Sequence, residues 1–210
     1  MGLSDHICIP DTALCTAAAE MARMASRPFL YNHVCRTYAF GALAARQSQM
    51  QYDPELFYVA AMLHDLGLTE TYQGDDRFEI DGAEAAAAFL ARQNVEQSRI
   101  DRVWDAIALH TTFSIPQKKS PEAALVQIGA AMDVGVLPHS QVTPEVMEQV
   151  LDAYPRLGFK RAMEDALSRV YARKPMTALH NFGADIAQRN VPGFAVPHFC
   201  DMLHEADFPE

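Results

Sequence analysis

The sequence predicts an all-α protein, folded as a single helical bundle with a C-terminal tail that wraps its surface. Three observations favour this fold class. Half of the 210 residues are apolar, which is ordinary for a globular domain of this length. No segment shows the alternation of apolar and polar residues, bounded by hairpin turns, that is typical of β-strands. Capping residues followed by proline mark helix starts repeatedly.

Three helix starts share one pattern, in which a capping side chain precedes a proline and an acid. They are Asp53-Pro54-Glu55, Ser120-Pro121-Glu122 and Thr143-Pro144-Glu145. The capping oxygen accepts a hydrogen bond from a free backbone amide, and proline loses nothing at the first helical position. The acid is favoured there because it faces the positive end of the helix dipole. We therefore place helix N-termini at these three sites.

The first of these starts leads into the apolar segment 54–63, which is followed by His64-Asp65-Leu66-Gly67. A helix that is apolar on nearly all sides is usually buried, and Gly67 fits a C-terminal stop. Alanine, which loses no side-chain entropy in a helix, dominates 83–91. With these segments we predict helices at 11–25, 33–49, 54–63, 80–93, 96–112, 121–134, 144–153, 159–172 and 180–190, and a short one near 199–206.

We expect one domain over 1–210, with a core at about 28–135 and a helical extension at about 136–210. The last twenty residues, 191–210, contain three prolines and several aromatic residues. This composition predicts a tail that wraps the surface. Such a tail can also pack across the interface of a homodimer, so a homodimer is a possible assembly.

The charge balance disfavours nucleic acid and membrane partners. The formal net charge is −10, from 27 acidic and 17 basic residues. A protein that binds a phosphate backbone or an anionic bilayer usually clusters its Lys and Arg residues, whereas here they are scattered. No run of about 18 apolar residues is present. We expect a small-molecule substrate, with no nucleic acid and no membrane partner.

The cysteines and the N-terminal segment favour a cytoplasmic location. The four cysteines form no C-x-x-C pair and do not look like a disulfide framework, so we interpret them as reduced thiols. The first fifteen residues lack the basic region and the long apolar region of a secretory signal.

His64 and Asp65 are two good metal ligands that stand side by side at the end of the predicted buried helix. They can also be read as a capping pair, because a histidine is favourable near a helix C-terminus. His33 lies in apolar surroundings and on its own would be a core histidine. Asp133 lies in another apolar helix, where a buried carboxylate needs a partner. One shared divalent metal would explain all four side chains.

The order His, His-Asp, Asp resembles the HD-domain superfamily of helical metal-dependent hydrolases. The resemblance covers roughly 28–135 and implies that His33, His64, Asp65 and Asp133 are metal ligands. It rests on four segments, which are Asn32-His33, Met62-Leu-His-Asp-Leu-Gly67, Ala106-Ile-Ala-Leu-His110-Thr-Thr and Gly129-Ala-Ala-Met-Asp133.

Within the superfamily the sequence is most similar to the cyanamide hydratase branch and its uncharacterised bacterial relatives, through Arg77-Phe-Glu-Ile-Asp-Gly-Ala-Glu-Ala-Ala86. Two features depart from other branches. No histidine lies between His64 and His110, where two-metal phosphohydrolases add them. Leu68 stands where many members that act on signalling nucleotides carry a lysine, which removes a phosphate contact. The resemblance therefore favours one metal and a small substrate.

The implied set of two histidines and two aspartates suits Zn²⁺, Fe²⁺ or Mn²⁺, and we expect one ion rather than two. Four protein ligands leave room for water only when the ion is five- or six-coordinate. A coordinated water would be acidified toward neutral pH and become a nucleophile.

His110, together with Asp65, is the predicted catalytic residue. His110 lies near the end of a predicted helix and can serve as a general acid or base, or bind substrate. Its alternatives are a histidine that interacts with the helix dipole and a ligand to a second metal. The candidate substrate-binding or supporting residues are Thr69, Glu79 and Thr111, of which Glu79 can accept a hydrogen bond from a ligand histidine.

The leading hypothesis is a lyase-type hydration, in which activated water adds to a small carbon–nitrogen bond such as that of cyanamide. The alternative is a metal-dependent phosphohydrolase that acts on a nucleotide or a small phosphoester, since one fold supports many substrates. A third hypothesis is a binding module without turnover, which the intact ligand set disfavours.

Overall fold

The computed structural model describes residues 2–140 and 142–207. Over these ranges the chain forms eleven α-helices and three short 3-10 helices, with no β-strand. The all-α prediction is thereby confirmed. No helix in this described part of the chain is both long enough and apolar enough to cross a bilayer.

The helices follow one another through turns and short loops. The α-helices are α1 Ala13–Ala25, α2 Pro28–Ser48, α3 Pro54–Leu63, α4 Phe78–Arg92, α5 Gln97–Ala108, α6 Pro116–Lys119, α7 Pro121–Asp133, α8 Pro144–Ala153, α9 Phe159–Arg173, α10 Gly183–Asn190 and α11 Phe199–His204. The 3-10 helices are Leu3–Asp5, Leu66–Leu68 and Pro175–Ala178.

The chain divides into two compact units, residues 1–163 and 164–210. The first unit holds α1 to α8 and the beginning of α9, and it contains every residue of the candidate site described below. The second unit holds the rest of α9 and the two C-terminal helices. The single domain with its core at 28–135 and extension at 136–210 stays a prediction.

The predicted short helix near 199–206 is present as α11. The wrapping of the surface by the tail stays a prediction, and its last three residues lie outside the described ranges.

The three predicted helix starts are confirmed by their hydrogen bonds. The side chain of Asp53 accepts from the two amides of Glu55 and Leu56, at 3.0 and 3.1 Å. Ser120 accepts from the amide of Ala123 at 3.1 Å, and Thr143 caps α8 in the same way. The caps fix where α3, α7 and α8 begin, and α3 and α7 lead to functional candidates at their C-terminal ends.

The helix α3 is buried along nearly its whole length, as its apolar sequence predicts. Every residue from Leu56 to Leu63 is buried. Gly67 differs from its expected role as a helix stop, because α3 ends at Leu63 and Gly67 lies in the following 3-10 helix. A Cβ atom at Gly67 would overlap the carbonyl oxygen of Phe78. The glycine therefore allows the segment after α3 to pack directly on the start of α4.

The helices α2 and α7 pack closely and run antiparallel. A Cβ atom at Gly129 on α7 would overlap the carbonyl oxygen of Thr37 on α2, and one at Gly41 would lie 2.7 Å from the carbonyl oxygen of Leu125. Glycine at these points lets the two backbones touch. The same antiparallel register places Asp133, at the end of α7, opposite the beginning of α2.

Two helix bounds near the candidate residues differ from the prediction. The helix α2 begins at Pro28 instead of residue 33, because proline again occupies the first helical position. The helix α5 ends at Ala108 instead of residue 112, and the next amide, of Leu109, bonds back to the carbonyl of Asp105. His110 therefore lies in the turn after α5 and not within the helix.

Candidate metal centre

Four buried side chains converge where α2, α3 and α5 meet. His33 lies in the second turn of α2, and His64 and Asp65 directly follow α3. His110 follows α5. Each of the four residues is at most 6 % exposed. The C-terminal ends of apolar α3 and amphipathic α5 thus deliver polar groups into the core of the first unit.

The three residues His33, His64 and Asp65 present their ligand atoms to one point. The Nε2 atoms of the two histidines are 3.3 Å apart. An oxygen of Asp65 lies 3.3 Å from Nε2 of His33 and 3.5 Å from Nε2 of His64. Among the described residues, these three form a group whose ligand atoms all lie within 4.8 Å of one another.

The spacing of these atoms fits a divalent transition metal. Nitrogen and oxygen ligands about 2.1 Å from one ion, at angles of about 90–110°, lie roughly 3.0–3.4 Å apart. The three measured separations are within about 0.1 Å of this range. A mixed nitrogen and oxygen donor set suits Zn²⁺, Fe²⁺ or Mn²⁺. The residues present therefore fit the metal that the sequence implies.

Hydrogen bonds at the far side of each ring fix the imidazole orientation. Nδ1 of His64 donates to the carbonyl of Ala61 at 2.8 Å, and Nδ1 of His110 donates to the carbonyl of Ile107 at 2.7 Å. Carbonyl oxygens only accept hydrogen bonds, so both rings carry their proton on Nδ1. In the neutral form of each ring, Nε2 is therefore the nitrogen without a proton, free to coordinate a metal or accept a proton.

Asp65 is the carboxylate that these rings surround. Its second oxygen lies 3.6 Å from Nε2 of His110, so His110 approaches the cluster from the other side of the carboxylate. The rings of His110 and His64 meet edge to face at 4.7 Å, and Phe78 packs against His110 at 5.7 Å. A buried carboxylate faced by imidazole nitrogens needs either a proton on one ring or a cation among them.

In the metal-free protein the needed positive charge falls on His33. Burial lowers the pKa of His33, but its hydrogen bonds to Asp133 and Asp65 outweigh that effect and raise the pKa to about 9. Burial lowers the pKa of His64 to about 3. Burial raises the pKa of Asp65, but His64 and His33 outweigh this and hold it below its usual range. A metal would replace the second proton of His33.

Asp133, the fourth predicted ligand, is not brought into the cluster. One of its oxygens lies 2.7 Å from Nδ1 of His33, on the side of the ring that faces away from Asp65. Arg36 donates to both Asp133 oxygens at 2.7 and 2.8 Å, and Arg156 donates to one of them at 2.9 Å. The carboxylate on apolar α7 is thus paired with two guanidinium groups and with His33, and its role as a metal ligand stays a prediction.

The supporting residues predicted from the sequence bond to one another or to the backbone. Glu79 is 2 % exposed and accepts hydrogen bonds from Thr111 at 2.6 Å and from Arg77 at 2.7 Å. Thr69 donates to the carbonyl of Leu66 at 2.6 Å. The hydrogen bonds of the ligand histidines go to Ala61 and Asp133, so Glu79 does not take the orienting role expected of it.

Sequence reasoning missed three residues around His33. Arg36 follows His33 by one helical turn and is fully buried, and a buried arginine in an apolar helix is itself a signal that a carboxylate lies opposite. Arg156 and Phe159 lie more than 120 residues further along the chain, in a loop and at the first residue of α9. No local pattern connects them to His33.

Comparison with known protein families matches the HD domain over residues 30–134, which is half of the chain. The match begins three residues before His33 and ends one residue after Asp133, so it includes all four predicted ligands. Arg156 and Phe159 lie outside it. No curated protein matches the chain.

Proposed function

This chain belongs to the HD domain family, and we propose that it adds water to a carbon–nitrogen bond of a small substrate, as in the hydration of cyanamide to urea. Proteins of the family are generally metal-dependent hydrolases that bind divalent metals. The observation that carries the proposal is the convergence of His33, His64 and Asp65 with His110 beside them.

The proposed ligands are His33, His64 and Asp65. The fixed Nδ1 hydrogen bonds orient both rings before any ion arrives, so little freedom is lost on binding. A divalent ion in such a site lowers the pKa of a coordinated water and polarises the substrate. Three protein ligands would leave a position for water or substrate, as catalytic sites require.

His110 is the proposed general base. In the neutral ring, donation from Nδ1 to Ile107 leaves Nε2 without a proton, so Nε2 can accept one from the attacking water. The imidazolium that forms is stabilised by Asp65, whose oxygen lies 3.6 Å away. His110 then returns the proton to the substrate nitrogen. The near-complete burial of His110 keeps bulk water from competing for that proton.

The charges around the cluster favour a small neutral substrate over a phosphoester. Arg36 and Arg156 are both engaged by Asp133, and Arg77 is engaged by Glu79. These guanidinium groups are neutralised by protein carboxylates, which weakens their attraction for a phosphate. Leu68, which follows His64-Asp65-Leu66-Gly67, offers no charge. A substrate of the size of cyanamide needs only the ion and His110.

The test combines metal analysis with two assays on the purified protein. Metal content is measured first, then urea formation from cyanamide and phosphate release from a panel of nucleotides. His64→Ala is the variant that should lose both metal and turnover. His110→Gln is the matched variant that should keep the metal and lose turnover.

About one ion per chain with cyanamide turnover is the expected result. Phosphate release without urea formation would replace the proposed substrate class with phosphoesters and keep the metal site. The absence of bound metal under reconstitution with Zn²⁺, Fe²⁺ or Mn²⁺ would overturn both the metal site and the proposed activity. An active His110→Gln variant would remove His110 from its proposed role.

A further inference from the structure

A tight turn at Arg156–Phe159 lies beside the metal cluster, outside the range that matches the HD domain. The amide of Phe159 donates to the carbonyl of Arg156 at 2.9 Å, which closes a four-residue turn. The two central residues both have positive φ, 51° at Leu157 and 72° at Gly158. Two consecutive positive φ values are the pattern of a type I′ turn. The turn places Arg156 and Phe159 side by side.

Phe159 covers the face of the His33 imidazole. The two ring centroids are 5.0 Å apart and the planes are inclined by 29°, so the rings are stacked. Phe159 is 4 % exposed. A stacked neighbour restricts rotation of the imidazole about its Cβ–Cγ bond, and this keeps Nε2 pointed at His64 and Asp65.

Arg156 fixes the carboxylate that holds the other side of the same ring. It donates to an oxygen of Asp133 at 2.9 Å and to the Asp133 backbone carbonyl at 3.2 Å. Its guanidinium carbon also lies 4.5 Å from the centroid of Phe159. Asp133 in turn accepts from Nδ1 of His33. Phe159 therefore contacts His33 directly, and Arg156 acts on His33 through Asp133.

Side chains that flank His33 on α2 anchor the turn. Asn32 donates to the carbonyl of Pro155 at 2.7 Å, and Arg36 donates to the carbonyl of Tyr154 at 3.0 Å. Arg36 also lies 5.2 Å from the ring centroid of Phe159. The residue before His33 and the residue one turn after it thus hold the segment 154–159 in place.

We propose that Arg156 and Phe159 are positioning residues of the metal site, which is incomplete without this turn. The inference rests on the proposed metal site formed by His33, His64 and Asp65. It predicts that the half of the chain matching the HD domain does not by itself set the metal affinity. The turn contributes by holding the ring of His33 in the coordinating orientation.

The experiment measures the Co²⁺ affinity of the metal-free 210-residue chain by competition with a chromogenic chelator, and records the visible spectrum of the Co²⁺ form. Arg156→Gln and Phe159→Leu should each weaken Co²⁺ binding by about 10-fold or more, the range found when outer partners of metal ligands are removed. Both should also change the Co²⁺ spectrum, which reports the coordination geometry. Arg156→Lys keeps a cation beside Asp133 and should recover part of the affinity.

Two controls separate positioning from general destabilisation. Arg161→Gln removes an exposed arginine a few residues further along α9, and Phe89→Leu removes a buried aromatic ring on α4. Thermal unfolding of each metal-free variant shows how far the fold is affected. Both controls should bind Co²⁺ as wild type does, even where Phe89→Leu lowers the unfolding temperature.

Wild-type affinity and spectrum in both Arg156→Gln and Phe159→Leu would overturn the inference and leave the proposed function standing. Equal loss of affinity in Phe89→Leu and Phe159→Leu would also overturn it, since the effect would then follow stability. A wild-type chain that binds no Co²⁺ or Zn²⁺ would overturn the proposed function, and this inference with it.

Discussion

Asp65 and Asp133 are two buried carboxylates on opposite sides of one imidazole, and they are neutralised in different ways. Asp133 faces two arginines, and a guanidinium group is a permanent cation in proteins. Asp65 faces three histidines, and the one that carries a positive charge, His33, can lose its proton. A carboxylate that forms ion pairs with arginine is already neutralised without a further cation. A carboxylate matched by imidazoles can exchange a proton for a metal ion.

The largest expected effect separates the two aspartates directly. Asp65→Asn should reduce bound metal from about one ion per chain to almost none, because it removes a ligand. Asp133→Asn should keep the metal but lower the affinity for it by about 10–100-fold, because this change removes only the partner of His33. Metal content after dialysis against a weak chelator measures both. Equal, complete loss in the two variants would make Asp133 the fourth ligand, as the resemblance implies.

The next effect concerns stability without metal. Arg36→Met should lower the free energy of unfolding by about 3–5 kcal/mol, because it leaves part of the Asp133 charge buried without a partner. Urea unfolding of the metal-free protein measures this. The matched variant Arg161→Met, at an exposed position, should change it by less than about 0.5 kcal/mol. A similar small change in Arg36→Met would show that Arg156 and His33 suffice to neutralise Asp133.

The pH dependence of the metal-free protein tests the charge on His33. Its pKa is about 9 in the folded protein and near 6.5 when unfolded, so protonated His33 stabilises the fold. This stability is complete below pH 6.5 and is lost as the pH rises through 9, at up to about 1.4 kcal/mol per pH unit. Urea unfolding at a series of pH values measures the slope.

Two comparisons test whether His33 causes this change of the free energy of unfolding with pH. His33→Gln should flatten it between pH 6.5 and 9. The metal-loaded wild type should also lack it, since the ion takes the place of the second proton on His33. An equal slope in His33→Gln would assign the titration to another group.

The smallest expected effect is a change in stability on substitution of Leu157, in the turn that brings Arg156 to Asp133. Leu157 has a φ of 51° and is 56 % exposed, so its side chain adds little to the core. Leu157→Asn should raise the free energy of unfolding by about 0.5–1 kcal/mol, because asparagine tolerates this conformation better. Thermal unfolding would show a rise of a few degrees. Leu157→Ala should bring no such gain.

Much of the fold could be predicted because the signals are local. The caps at Asp53, Ser120 and Thr143 each depend on residues within three positions, and all three are present. The burial of α3 follows from its continuous apolar sequence. The bounds of α2 and α5 were less accurate, since a helix end depends on which backbone groups find other partners.

The candidate site could be predicted only in part, because its polar partners come from distant segments. The adjacent pair His64-Asp65 is visible in the sequence, and family resemblance links it to His33. One partner of Asp133 is Arg36, 97 positions away, and nothing in either helix specifies that pairing. A lone carboxylate in an apolar helix shows that a partner exists, but does not say whether it is a metal or an arginine.

The direct contact of α2 and α7 at Gly129 sets the dimensions of a polar site to which that glycine contributes no atom. Gly129 lies one turn before Asp133, and Thr37 lies one turn after His33. A side chain at Gly129 would push α2 and α7 apart, one turn away from the pairs that Asp133 forms with His33 and Arg36. Hydrogen bonds of 2.7 Å tolerate little separation, so even one added methyl group would loosen them. The geometry of the polar site therefore depends on the small size of Gly129, which takes no part in the chemistry.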